Sequence, residues 1–345
     1  MSRSLTGPKL YITLTVCLAM MFAQTVASAQ EVNVYSARKE ALILPLLEKF
    51  EAATGIGFNL ITGKADALLK RLESEGRSSP ADVFITTDAG RLQRAKEAGV
   101  LRAVDNQVLN SSIPANMRDQ ENYWFGLSKR ARVIFYVKDK VNPGELSSYE
   151  DLADPKWKQK ICIRSSGNIY NQSLVASMIE AHGNAVTEAW AKGLVANLAR
   201  KPAGGDTDQL RAAAAGLCDI AIANTYYYGR LVNSSKAQDR EVAASLGLFW
   251  ANQGERGAHI NVSGGAVTKY AEHPAAAERL LEFMVNEDSQ SWYAEVNNEY
   301  PVVAGAKIPP TLQAFGDFKG DSLNLTRLGE NNREAVMLMD RAGWR

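Results

Sequence analysis

Short apolar segments alternate with amphipathic segments along most of the chain. "EVNVY" precedes a segment with apolar residues at helical spacing that ends at Gly55, and "GFNLITG", "ADVFITT" and "CDIAIAN" are each followed by a similar segment. Apolar runs of this length predict buried strands, and a glycine directly after a helical pattern predicts a helix end. Strand followed by helix, repeated in this way, is typical of α/β proteins with a largely parallel sheet.

Two extended segments interrupt this alternation. One contains "WFGLSKRARVIFYV", near the middle of the chain, and the other contains "GERGAHINVSGGAV". Two interruptions are expected when a chain crosses twice between two α/β lobes. We predict that residues 30–127 and 256–305 form lobe 1 and that residues 128–255 and 306–345 form lobe 2.

The first 29 residues have the features of a secretory signal peptide. Basic residues and an apolar stretch precede Ala27-Ser28-Ala29, and small residues in an A-x-A pattern mark a cleavage site. We predict cleavage near Ala29, which leaves 316 residues, enough for two domains. The mature protein is then expected in the periplasm, since no other run approaches the roughly 20 apolar residues of a membrane helix.

Two cysteines remain in the predicted mature chain, Cys162 and Cys218. An even pair in an exported protein favours a disulfide. A bond that closes a loop of 56 residues stabilises a fold by about 4 kcal/mol in the chain-entropy account, and measured values are often lower. A thiolate metal site is disfavoured because the chain has no C-x-x-C pair and no third sulfur ligand.

Charge and motifs exclude several classes of function. The formal net charge is +1, which does not indicate a nucleic-acid partner. The sequence has no G-x-S-x-G, H-E-x-x-H or G-x-x-x-x-G-K-[ST] motif and no cysteine with a plausible histidine partner. We therefore do not expect an enzyme.

Tyrosines recur where predicted strands give way to helices. Tyr35 follows "EVNV", Tyr170 follows "KICIRSSGNI", and Tyr226 and Tyr227 follow "CDIAIANT". Ligands of open parallel sheets bind at these strand ends. The phenols are expected either to stack on an organic ligand or on each other, or to bind a hard trivalent cation, which can hold phenolates ionised at neutral pH. Spacing alone leaves both interpretations open.

At these residues the sequence resembles the periplasmic ferric-ion-binding proteins, the solute receptors of bacterial iron ABC importers. The similarity is carried by "NVYSAR", "IRSSGNIYNQSLVASMI", "IANTYYYGRL" and "HINVSGGAVTKYAEHP", in that order. The resemblance implies a two-lobed periplasmic-binding-protein fold of class II, the Venus-flytrap architecture, with a mostly parallel sheet in each lobe and two hinge crossings. It further implies a monomer that passes Fe(III) to an ABC permease in the inner membrane.

The resemblance also implies a set of metal ligands. Tyr226 and Tyr227 match the family's adjacent tyrosine pair, Tyr170 matches the tyrosine of "NIYNQ", and Tyr35 matches the tyrosine of "YSxR". Tyr228 takes the place of a large apolar residue and is left out, because three consecutive residues on a helix point about 100° apart.

Two departures from the family pattern point to a site dominated by tyrosine. Many relatives have a histidine after "YSxR", where this chain has Lys39, and some have a glutamate after "ADVF", where it has Thr86, Thr87 and Asp88. Water or a small anion is expected to fill any open coordination position. His182, His259 and His273 are interpreted as ordinary surface or core residues.

Three arginines are candidates for balancing the negative charge of such a site. Four phenolates around Fe(III) leave a net charge of −1, which favours nearby cations. Arg230 lies on the helix face of Tyr226 and Tyr227 if this segment is helical, and Arg130 and Arg38 are the other candidates.

A receptor for another small solute remains the alternative function. The same architecture binds oxyanions, polyamines and thiamine, and a fold does not determine function. A polyamine site needs several carboxylates, of which the strand ends offer only Asp88. An oxyanion site needs helix N-termini rich in Gly, Ser and Thr, and "IRSSGN" fits this in part.

Overall fold

The computed structural model describes residues 31–345. The proposed signal peptide lies outside the described residues. None of the helices within residues 31–345 is both long enough and apolar enough to span a membrane.

The protein is a mixed α/β fold built on one curled sheet. The strands are β1 (Glu31–Ser36), β2 (Gly57–Thr62), β3 (Val83–Thr87), β4 (Phe125–Val137), β5 (Ile161–Cys162), β6 (Ile220–Asn224), β7 (Leu246–Phe249) and β8 (Ile260–Val267). Their order is β2-β1-β3-β8-β4-β6-β5, with β7 paired to β4.

Helices cover the sheet and connect its strands. They are α1 (Leu44–Thr54), α2 (Ala65–Glu75), α3 (Ala89–Glu97), α4 (Gln107–Ser112), α5 (Ile169–Ala196), α6 (Asp206–Ala214), α7 (Thr225–Val232), α8 (Ala237–Ser245), α9 (Pro274–Met284), α10 (Glu287–Asn297), α11 (Pro310–Gln313), α12 (Thr326–Glu330) and α13 (Asn332–Arg341). Gly55 ends α1 with a left-handed backbone, φ 72°, and Gly183, φ 76°, interrupts α5, so both glycines act as helix terminators.

The sheet is less parallel than the alternation of strands and helices predicts. The pairs β1–β2, β1–β3 and β5–β6 are parallel, whereas β3–β8, β4–β6, β4–β7 and β4–β8 are antiparallel. The two antiparallel strands β4 and β8 are the segments that interrupt the alternation in the sequence. They enter the middle of the sheet because a strand that returns from the other half can pair in the opposite direction.

Strand β4 joins the two halves of the sheet. Its residues 125–131 pair with β8, and its residues 132–137 pair with β6 and β7. We call the part around β1, β2, β3 and β8 the first half and the part around β5, β6 and β7 the second half. The change of partner falls a few residues after the predicted lobe boundary at 127/128, and the boundaries themselves remain a prediction.

The two halves also touch outside β4. Ser173 in α5 donates a hydrogen bond of 2.6 Å to Asp88, at the end of β3. The C-terminal helix α12 packs against both α3 and α5. The last 40 residues, which the sequence analysis assigns to lobe 2, therefore contact both halves, and their assignment stays a prediction.

Cys162 and Cys218 form the predicted disulfide. Both residues are buried. The bond joins the end of β5 to the residue two positions before β6. It therefore ties together two neighbouring parallel strands of the second half.

Replacing both cysteines, Cys162→Ala with Cys218→Ala, is expected to lower the free energy of unfolding by about 2–4 kcal/mol, because the unfolded chain regains the freedom of the closed loop. The measurement is guanidinium unfolding without reductant. Addition of reductant to the unfolded wild type should bring its stability close to that of the variant and leave the variant unchanged. Equal stability of the two oxidised proteins would contradict this account.

Candidate functional site

Three tyrosines come together at the beginnings of two helices. Tyr170 is the second residue of α5, and Tyr226 and Tyr227 are the second and third residues of α7. The hydroxyl of Tyr226 donates a hydrogen bond of 3.1 Å to the hydroxyl of Tyr170. The ring centroids of Tyr226 and Tyr227 lie 4.2 Å apart. We call these residues the tyrosine triad.

The sheet explains why the triad forms. Strands β5 and β6 are parallel neighbours, so both end at the same edge of the sheet and the helices that follow begin near one another. The asparagines before the two helices, Asn168 and Asn224, form no side-chain cap with the first turn. The backbone N–H groups of the first turns, which lack a side-chain cap, and the helix dipoles therefore favour negative charge at this position.

The triad lines a cavity of about 140 Å³ between the two halves. This volume is well below the 300–1,000 Å³ of typical organic ligand sites, and it suits an ion with a few waters or a small anion. Larger depressions occur elsewhere, such as one of about 610 Å³ beside α8, but the triad does not line them. The other residues around the cavity are Ala37, Arg38, Lys39, Leu42, Thr87, Arg230 and Glu299.

Burial favours the protonated form of two triad phenols, Tyr226 and Tyr227. Burial raises the pKa of Tyr226 well above its usual value of 10.0, and the neighbouring phenols Tyr170 and Tyr227 raise it further, while Arg130 opposes them. The pKa of Tyr227 is also raised by burial, and then by Tyr170 and Asp206. At neutral pH Tyr226 and Tyr227 are therefore neutral hydroxyls, which ionise only when a strong positive charge replaces their protons.

Two arginines predicted from the sequence lie over the triad rings. The Arg230 guanidinium lies 5.0 Å from the ring centroid of Tyr226 and 5.8 Å from that of Tyr227. Arg130 lies 5.7 Å from the ring of Tyr170 and donates a hydrogen bond of 2.6 Å to Ser263. Its Nε and Nη2 atoms have no partner among the described residues, so this buried cation has unused donors next to the triad.

Arg164 is a third cation near the triad and was missed in the sequence. Its guanidinium lies 5.9 Å from the ring of Tyr170. It is the arginine of "IRSSGN", a segment that we interpreted only through its serines and glycine.

The third predicted arginine, Arg38, is already paired with a carboxylate. Its Nη1 and Nη2 atoms donate to Glu299 at 2.8 and 2.7 Å, and both side chains are buried. Burial alone would raise the pKa of Glu299, but the Arg38 charge and hydrogen bonds, with help from Arg130 and Ser128, lower it to about 2. Glu299 therefore supplies a fixed negative charge to the cavity wall.

The structure does not bring Tyr35 to the triad. The sequence prediction placed Tyr35 at a turn, but β1 continues to Ser36, and the pleat of a strand sends successive side chains to opposite faces. The Tyr35 ring is buried, its hydroxyl donates to Glu75 at 3.1 Å, and Arg71 lies over it at 4.8 Å. The residues after β1, Ala37 to Lys39, line the cavity instead.

The remaining tyrosine of "TYYY" points away from the cavity. The Tyr228 hydroxyl donates to the carbonyls of Ala243 and Leu246 at 3.0 and 3.2 Å. Its ring packs against Phe135. This orientation agrees with its omission from the predicted ligand set.

Other candidate metal ligands do not gather at the cavity. Within residues 31–345, no group of three or more His, Cys, Asp and Glu side chains is placed to hold an ion. His182 pairs with Glu150 and His273 with Asp82. His259 is buried directly before β8, and burial lowers its pKa well below 6.5. Among the described residues, the hard oxygen donors of this cavity are therefore the three triad phenols, the Glu299 carboxylate and the Thr87 hydroxyl.

The chain matches the family model of bacterial extracellular solute-binding proteins over residues 78–314. It is also 48% identical over 323 residues to iron uptake protein A1 of Synechocystis sp., an alignment that covers 94% of this chain and 90% of that protein.

Solved structures share the fold over nearly their full length. A Trichodesmium structure, IdiA (FutA) in complex with iron and citrate ligands, has a TM-score of 0.89 and 54% identity, with 91% of this chain and all of that chain covered. The Mannheimia haemolytica ferric iron-binding protein A in an open conformation has a TM-score of 0.85 and 42% identity, with 92% of this chain and 99% of that chain covered. The two-lobed fold inferred from the sequence is thereby confirmed.

The Arg38–Glu299 pair is expected to make stability depend on pH. The pKa of Glu299 falls from 4.5 to about 2 on folding, so its contribution is present above pH 4.5 and is lost as the pH falls toward 2. The shift corresponds to about 3 kcal/mol. Glu299→Gln should therefore reduce the free energy of unfolding by that order at pH 7, and the difference from the wild type should nearly vanish near pH 2. Chemical unfolding at a series of pH values measures it, and a difference independent of pH would contradict the prediction.

Proposed function

The chain belongs to the family of bacterial extracellular solute-binding proteins, and we propose that it is the receptor that captures Fe(III) for uptake. The observation that carries this proposal is the tyrosine triad, in which three phenols converge on a small cavity between the two halves. Iron uptake protein A1 and the iron-bound Trichodesmium structure support the same assignment. A transport protein of this kind is not an enzyme.

The triad suits the charge of Fe(III). Phenolate is a hard oxygen ligand, and three phenolates balance three positive charges without sulfur or imidazole. The beginnings of α5 and α7 stabilise the phenolates through their N–H groups. The proposed ligands are Tyr170, Tyr226 and Tyr227, and Tyr35 is not among them because its hydroxyl already donates to Glu75.

Three ligands leave coordination positions for water or a small anion. Lys39, on the wall opposite the triad, adds positive charge, and Arg130 has unused donors. A carboxylate anion fits such surroundings. The citrate in the Trichodesmium structure supports an anion as a co-ligand, as the sequence analysis anticipated.

Closure of the two lobes would complete the site. The triad belongs to the second half and the opposite wall to the first, so iron would stabilise the closed arrangement of a hinge at β4 and β8. The predicted lobes, 30–127 with 256–305 and 128–255 with 306–345, are proposed on this basis. Release would follow from protonation of the phenolates, reduction of the iron or opening by the transporter.

The surroundings of the protein follow from the same proposal. The predicted signal peptide would direct it to the periplasm, where the iron-loaded monomer would deliver its cargo to an ABC permease of the inner membrane.

Titration of the protein with ferric citrate is expected to produce a visible phenolate-to-iron charge-transfer band that saturates at one equivalent. Tyr170→Phe, Tyr226→Phe and Tyr227→Phe should each weaken or shift the band, because each removes a ligand. Each should lower the iron affinity by more than the roughly 10–100-fold that loss of an outer partner costs.

Tyr35→Phe and Tyr228→Phe are the matched controls and should keep the band. A colourless wild type would reject the ferric site and favour a receptor for another small solute. A band lost in Tyr35→Phe would restore that residue to the ligand set.

Iron binding should release about three protons per iron near neutral pH, one from each phenol that becomes a ligand. The raised pKa values of Tyr226 and Tyr227 keep these two phenols protonated beforehand. The affinity should therefore fall as the pH falls. Proton release can be measured with an indicator dye in weak buffer on addition of ferric nitrilotriacetate, with correction for the chelate alone. Tyr227→Phe should release about one proton fewer, and equal release from both proteins would contradict the assignment.

A further inference from the structure

Arg132 lies beneath both segments that carry the triad. It occupies the position in β4 where pairing changes from β8 to β6, and its side chain is 1% exposed. Its Nη1 atom donates to Asp206 at 3.1 Å and to Asn224 at 3.0 Å, and its Nη2 atom donates to Asn171 at 2.6 Å. One guanidinium thus reaches three buried side-chain acceptors.

The two asparagines are neighbours of the triad in sequence. Asn171 directly follows Tyr170, and its amide donates to the carbonyls of Arg164 and Ser165 at 2.8 and 3.1 Å, which holds the loop before α5. Asn224 precedes Tyr226 by two residues, and its backbone N–H donates to Asp206 at 2.9 Å. Arg132 and Asp206 therefore connect the beginning of α5 to the beginning of α7.

Stability alone does not account for this buried ion pair. Well-packed apolar residues of similar volume often stabilise a fold as much as a buried ion pair or more. An arginine differs from them, and from lysine, in having a planar fork of donors with fixed directions. That property matters where two segments must be held at a defined separation.

We propose that Arg132, held by Asp206, positions the metal ligands by fixing the beginning of α5 relative to that of α7 from the hinge strand β4. This inference rests on the proposed function. Neither side chain lines the cavity, so neither would touch the iron. Arg132 acts through its hydrogen bonds to Asn171 and Asn224, and Asp206 acts by holding Arg132 and the backbone of Asn224.

The first test is Arg132→Lys, which keeps a positive charge beside Asp206 but cannot reach both asparagines. Iron release to an excess of chelator is expected to be about 10–100-fold faster than in the wild type. The charge-transfer band should shift or broaden, because the phenolates no longer meet the iron in one geometry.

Arg256→Lys is the matched control. Arg256 also bridges two carboxylates, Glu150 at 3.2 Å and Asp321 at 3.0 Å, but it contacts neither Asn171 nor Asn224. This variant should lose comparable folding stability and keep the band and the release rate of the wild type.

Asn171→Ala and Asn224→Ala each remove one of the two links and keep the buried ion pair. Each should reproduce part of the faster release, so the test does not depend on the folding of Arg132→Lys. Adding either change to Arg132→Lys should have less than the additive effect, since the residues act through the same contact.

The outcomes separate this inference from the proposed function. One outcome would overturn the positioning role alone. In that outcome the wild type shows the charge-transfer band, and Arg132→Lys and both asparagine variants have the same band and the same iron release rate as Arg256→Lys. A wild type without the band would overturn the ferric site and the positioning role together.

Discussion

The backbone pairing of β4 determines where everything else in the molecule lies. This strand is hydrogen-bonded to β8 in its first part and to β6 and β7 in its second part, so one continuous ladder runs through both halves. The cavity forms beside this ladder because the helices that follow β5 and β6 begin on one side of it and the loops after β1 and β3 lie on the other. A change in the twist of β4 at residues 131 and 132 would move the two walls relative to each other.

Two phenols of the cavity are poorly suited to ionise until a cation enters it. Burial raises the pKa of Tyr226 and Tyr227, and the nearby arginines repel cations in general. An ion can bind to the three phenolates only if its free energy of binding exceeds the free-energy cost of removing the protons from the phenols. In the proposed ferric site, the same features that keep the two phenols protonated would therefore favour an ion of high charge over a singly charged one.

Local sequence patterns predicted the strands and helices well, but they did not predict contacts between segments that are distant in the sequence. Strands β1, β2, β3 and β6 follow from apolar runs and glycine stops, and the disulfide followed from cysteine number and compartment. The antiparallel insertion of β4 and β8 did not follow, because it depends on pairing between distant segments. Glu299 could not be found beside Arg38, since 261 residues separate them. The sequence placed Tyr35 at the turn after β1, but β1 runs to Ser36, one residue past it. The pleat of the strand therefore determines the face of the sheet on which the Tyr35 side chain lies.

All three members of the triad come from the second half, and the disulfide between Cys162 and Cys218 fixes the strands that precede them. In the proposed ferric site, the arriving ion would thus meet all three phenols on one half of the protein before the first half takes part. Recognition and retention would then be separate kinetic steps. The rate of capture would be set by one half, and the residence time of the ion by how long the other half stays closed.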